Sequence, residues 1–157
     1  MSLLKKKLEE VLPPQIDSIK QFLKDKGDQV VSQVTLAQVY GGMRGVKALV
    51  CDTSEVPPDK GLIIRGIELK DLEDKLPEEI YWLLLTGSLP NKEELKDLQQ
   101  DLASRMDVPD YVWKVLDNMP NDSHPMAMFS MAIVAMQKES IFYQKYKDGY
   151  DKMNAWK

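Results

Sequence analysis

PEEIYWLLLTGSLP, Pro77 to Pro90, is the stretch whose reading settles the fold. Proline closes what precedes it, and Glu78 and Glu79 suit the positive end of a helix dipole. Apolar side chains then run from Ile80 to Leu85, and Gly87 sits where a helix turns off. A helix over 78–86 follows. Upstream, Leu69, Leu72 and Leu76 have helical spacing and predict another helix that stops at Pro77. Downstream, Asn91 with Glu94 has the form of a capping box, and Leu95, Leu98 and Leu102 share one face behind it. A short helix over 110–118 is closed by Pro120. Asp122-Ser123-His124-Pro125 is a further helix start, and nearly every residue from Met126 to Met136 is apolar. A helix apolar all round is expected to be buried on all sides. Its small residues Ala127, Ser130, Ala132 and Ala135 permit close approach by a neighbour.

The same period opens the chain. Leu4, Leu8, Val11 and Leu12 lead into Pro13-Pro14, which should break or kink the helix; Ile16, Ile19, Phe22 and Leu23 resume it up to Lys26. Leu36 to Tyr40 reads as one helical turn. Lys47 to Cys51 and Leu62 to Ile64 read as short strands, joined through the turn residues Pro57 to Gly61. The predicted architecture is all-α, with one small antiparallel β ribbon near residues 47–65.

Composition limits the function. The chain has 157 residues, room for one domain with a real core, and a net charge of −4. That balance argues against bulk nucleic-acid binding, which needs a basic face. No stretch is long and apolar enough to span a membrane, and MSLLKKKLEE is too charged for a secretory leader. Cys51 is the only cysteine, so no disulfide forms within the chain, and a reducing compartment is the default. His124 is the only histidine, so a mechanism that uses two histidines is not completed here.

Three residues ask for chemistry. In YGGMRGVKALVCDTS, Tyr40 to Ser54, Arg44 lies inside a glycine cluster. Glycine permits close approach of backbone to a ligand, and arginine suits phosphate or carboxylate. The phosphate-loop spacing is absent, and on residue physics alone an exposed loop arginine is the plainer reading. His124 has no nearby carboxylate or nucleophile to complete a dyad, so local bonding at a helix start is preferred to acid–base work. Cys51, in a predicted strand, reads as core rather than as a nucleophile.

Taken in order, four blocks resemble the citrate synthase family: YGGMRGVKALVCDTS; GLIIRG at Gly61–Gly66; IYWLLLTGSLP at Ile80–Pro90; and LDNMPNDSHPMAMFSMAIVAM at Leu116–Met136. The resemblance runs from about Leu4 to Lys157. It implies the N-terminal portion of the large, mostly helical domain, with the small catalytic domain outside this chain. The reaction implied is condensation of acetyl-coenzyme A with oxaloacetate to citrate and coenzyme A, with the thioester as substrate and no separate cofactor. The family's catalytic histidines and aspartate fall beyond Lys157, so no catalytic residue is expected here, and the chain by itself should be inactive.

By the same resemblance Arg44 contacts a coenzyme A phosphate. A second position, an arginine that in the family binds the coenzyme A of the neighbouring subunit, falls on Lys152, which keeps the charge without the fork. The helix at 124–137 would lie in a homodimer interface, and the compartment would be bacterial cytoplasm or mitochondrial matrix. The alternatives are 2-methylcitrate synthase, which uses propionyl-coenzyme A on the same fold, and a non-catalytic helical scaffold.

Overall fold

The computed structural model describes residues 2–151 and 154. They fall into two compact units, residues 1–99 and 100–157. The first opens with α1, Leu3–Lys26, whose N-cap Ser2 accepts a bond from the Lys5 N–H. The Leu3 N–H donates to Asp97 Oδ2 at 2.7 Å, which sets a carboxylate at the positive end of the helix dipole. The expected break at Pro13-Pro14 does not occur, because α1 runs through both prolines. They remove the donors for the Glu9 and Glu10 carbonyls, but all four residues are exposed, where water can take the donors' place.

α2, Leu36–Tyr40, forms where expected. Thr35 caps it, and the Gln38 side chain returns a bond to the Thr35 N–H at 3.0 Å. The chain then passes through the glycine cluster and stays irregular to Thr53. The ribbon follows as three strands, β1 Ser54–Glu55, β2 Ile63–Ile64 and β3 Ile67–Glu68, in the order β1-β2-β3, all antiparallel. Its first strand is therefore not Lys47–Cys51. The β2 edge is taken by Ser54 and Glu55, which pair with Ile64 and Ile63. Without an edge to pair with, the apolar run before them stays out in solvent, and Leu49 and Val50 are about nine-tenths exposed.

β2 and β3 are joined by Arg65 and Gly66, at φ 48° and 81°. Two positive φ values in a two-residue loop match the twist of a hairpin, but the first position usually holds Asn, Asp or Gly. The helix expected over Leu69 to Leu76 shrinks to one 3-10 turn, Leu69–Asp71. The Leu69 N–H is spent on the Leu62 carbonyl, and Leu72 and Lys75 donate three residues back, not four.

α3, Pro77–Thr86, carries the centre of the first unit. Pro77 stands at its first position, and Glu79 Oε2 accepts from the Leu76 N–H at 2.8 Å. Trp82 and Leu83 are fully buried, and Leu83 clusters with Ile64 and Leu72 against Leu62, Ile67, Ile80, Leu84 and Leu89. α1 packs on α3. Gly87, at φ 83°, ends α3 in the left-handed conformation, its N–H on the Leu83 carbonyl. α4, Lys92–Ala103, begins at Asn91, whose side chain accepts from the Glu93 and Glu94 N–H groups while Glu94 returns a bond to Asn91.

In the second unit α5, Asp110–Asp117, packs on α6, Pro125–Ala135, and α7, Ile141–Lys147, follows. Val112 on α5 is buried. α6 is not: none of its residues is buried, and Met126, Phe129, Met131, Ile133 and Val134 stand exposed. Among the described residues, the expectation that it is covered on all sides is not met. Among the described residues no helix is long and apolar enough to cross a membrane.

Candidate functional site

Arg44 is exposed, and no described residue pairs with its guanidinium. The backbone around it is shaped to present it. Gly42, Met43 and Gly45 all have positive φ, at 75°, 61° and 75°. For Met43 the left-handed region costs about 1–2 kcal/mol. The fold holds it there through the Met43 N–H, which donates to the Gln38 carbonyl at 2.7 Å, and through the Val46 N–H on the Met43 carbonyl at 3.1 Å. The segment thus leaves α2 by a bonded turn and carries a cation that no described residue pairs. The five donors of its planar fork are thereby left open to an anion.

His124 does what the plainer reading expects. It is the N-cap of α6, exposed, and its Nδ1 accepts from the Met126 N–H at 3.2 Å. Lys152 lies outside the described residues. No group of three or more His, Cys, Asp or Glu side chains able to hold a metal ion occurs among the described residues.

Cys51 departs from expectation. It is exposed and lies outside any strand, so it is not a core residue. The strand that would have buried it does not form. Its Sγ is 3.3 Å from Thr53 Oγ1 and 3.4 Å from the Ser54 carbonyl oxygen. The Thr53 side chain first, then the Ser54 and Thr53 backbone, lower its pKa from 9.0 to about 7. Thiolate is the reactive form. Alkylation by iodoacetamide should therefore rise through about pH 7 and level off above it. A rate still climbing steeply between pH 8 and 9 would show an ordinary thiol.

Arg65 joins the candidate site from the structure alone. Its side chain is only 17% exposed. Nε and Nη2 both donate to the Leu84 carbonyl, at 3.1 and 2.7 Å, and Nη1 donates to Asp52, 2.9 Å to Oδ2 and 3.3 Å to the carbonyl. The one available sign was a second arginine–glycine pair, Arg65-Gly66, echoing Arg44-Gly45. Arg65 and Gly66, with Cys51, Asp52, Ser54, Glu55 and Ile63, border an open recess of about 240 Å³.

The comparisons with known proteins agree among themselves. Residues 42–157 match the family model described as citrate synthase, C-terminal domain. Over 98% of its length the chain is 39% identical to the mitochondrial citrate synthase of Saccharomyces cerevisiae, covering 34% of that protein. It is 39% identical to the peroxisomal citrate synthase of the same yeast and 38% identical to the mitochondrial 2-methylcitrate synthase of Yarrowia lipolytica, again over 98% of the chain and 35% of each relative. The chain spans about a third of the length of the curated relatives it matches.

Proposed function

The chain belongs to the citrate synthase family, and from that premise we propose that it supplies the N-terminal part of the large domain of a citrate-forming enzyme. The observation that carries this reading is identity of 39% sustained over 98% of the chain. The reaction is condensation of acetyl-coenzyme A with oxaloacetate, and this chain's share is to bind the coenzyme. Arg44 receives a phosphate of coenzyme A. Its exposure and its lack of a described partner leave all its donors available for that anion. Lys152 adds a cation to the coenzyme A held by the neighbouring subunit. The catalytic acid–base residues come from polypeptide other than the residues seen here.

α6 packs against a second copy of the protein. Its exposed Met126, Phe129, Met131, Ile133 and Val134 make an apolar surface that water disfavours. The relatives include mitochondrial and peroxisomal enzymes, and the mitochondrial matrix or bacterial cytoplasm is the setting proposed here.

Identities of 39% and 38% do not separate a citrate synthase from a 2-methylcitrate synthase. The deciding experiment follows free thiol released when the natural gene product is mixed with oxaloacetate and either acetyl- or propionyl-coenzyme A. Faster release from the acetyl thioester is expected. Faster release from the propionyl thioester would move the assignment to the methylcitrate branch, and release from neither would leave the scaffold reading in front.

A further inference from the structure

Arg65 occupies a backbone position that disfavours it. At φ 48° a non-glycine residue sits in the left-handed region, and Asn, Asp or Gly is the usual choice there. Such a residue persists where its surroundings over-determine it. Here the side chain supplies the reason. Near the end of α3 the Leu84 carbonyl has no helical donor, because the Ser88 N–H turns to Thr86 Oγ1 at 3.4 Å. Two arms of the Arg65 guanidinium take that carbonyl, at the negative end of the helix dipole. The third holds Asp52 by both its carboxylate and its carbonyl. The Arg65 N–H closes the bracket on the Thr53 carbonyl at 2.9 Å.

Asp52 and Thr53 are the far end of the segment that carries Arg44. Its near end is tied to α2 through Met43 and Gln38. Between these ties, residues 47–51 are irregular and exposed. We propose that Arg65 is a positioning residue for the Arg44 segment: it anchors the segment's C-terminal end to α3, so that Arg44 is presented to its anion from a chain fixed at both ends. The inference rests on the reading of Arg44 as a coenzyme A contact. Ordering the segment in advance reduces the entropy lost when the anion binds.

The test uses Arg65→Asn in the natural gene product. Asparagine suits a positive φ before glycine, so the hairpin and the backbone bond to the Thr53 carbonyl are kept while the guanidinium's bonds to Leu84 and Asp52 are lost. Trypsin cuts after Arg44 and Lys47, both inside the segment. Cleavage there should accelerate roughly tenfold in Arg65→Asn, because proteolysis reports local opening. Coenzyme A, titrated calorimetrically, should bind roughly tenfold more weakly, since the bonds removed are charge-assisted ones. In an Arg44→Ala background, Arg65→Asn should weaken it no further, because coupled residues are not additive. A stability role alone would instead lower the melting temperature without changing coenzyme affinity in the folded protein.

Unchanged cleavage after Lys47 overturns the inference. So does faster cleavage with coenzyme affinity intact in Arg65→Asn but reduced in Arg44→Ala. If Arg44→Ala itself leaves coenzyme affinity unchanged, the coenzyme reading of Arg44 is what falls, and the positioning role built on it falls too.

Discussion

Replacing Leu83 with alanine is expected to remove about 2–5 kcal/mol of folding stability, a large share of the roughly 5–15 kcal/mol that holds a typical domain. Leu83 is fully buried on α3 and clusters with Ile64 from the ribbon and Leu72 from the connection between them. Truncation loses the transfer free energy of the removed carbons and leaves a cavity whose walls come from three parts of the unit, so no one part can collapse to fill it. Leu85, two residues along the same helix, is 36% exposed and serves as the control. Alanine is at least as good a helix former as leucine, so Leu85→Ala should cost about 1 kcal/mol or less. Urea unfolding of the two variants in parallel measures this. Equal losses would mean that the core is not centred on the inner face of α3.

The helix that carries this core was legible in the sequence because its end signals are local. Pro77, Glu79 and Gly87 mark the ends of α3 by proline, back-bonded carboxylate and left-handed glycine, and each does that in the structure. The expected cap at Asn91 works likewise, since it needs only residues three apart. What failed depends on partners distant in the chain. The strand expected at Lys47–Cys51 has the right composition but no free edge, because Ser54 and Glu55 occupy it. Cys51 followed the strand out of the core. Pro13-Pro14 misled in the opposite sense: a proline penalty assumes that freed carbonyls go unsatisfied, and on an exposed helix face they need not.

Of the candidate site, Arg44 was readable because its glycines are adjacent to it. Arg65 was not, because its acceptors are 13 and 19 residues away, at Asp52 and Leu84. The two arginines differ in a way composition cannot reveal. Arg65 has Asp52 and the Leu84 carbonyl as acceptors and is mostly covered, whereas Arg44 has no described partner and is exposed. A spent guanidinium builds structure; a free one on a shaped turn is available to a ligand.

The availability of Arg44 sets the second large effect. In the natural gene product, Arg44→Ala should raise KM for acetyl-coenzyme A roughly 10- to 150-fold, the equivalent of about 1.5–3 kcal/mol for hydrogen bonds to a charged group. KM for oxaloacetate should hold, and kcat should change little, because a phosphate remote from the reacting carbon is held equally in the ground and transition states. Arg44→Lys should recover part of the loss, since it restores the charge without the planar fork. Raising the salt should shrink the difference between wild type and Arg44→Ala, because an exposed charge is screened over about 10 Å at 0.1 M ionic strength. Arg44→Ala should leave the urea midpoint nearly unchanged, since the side chain has no described partner to lose. Equal rises in both KM values would assign Arg44 to general folding of the active site. No rise in either would remove it from the coenzyme site and leave its shaped turn without a ligand.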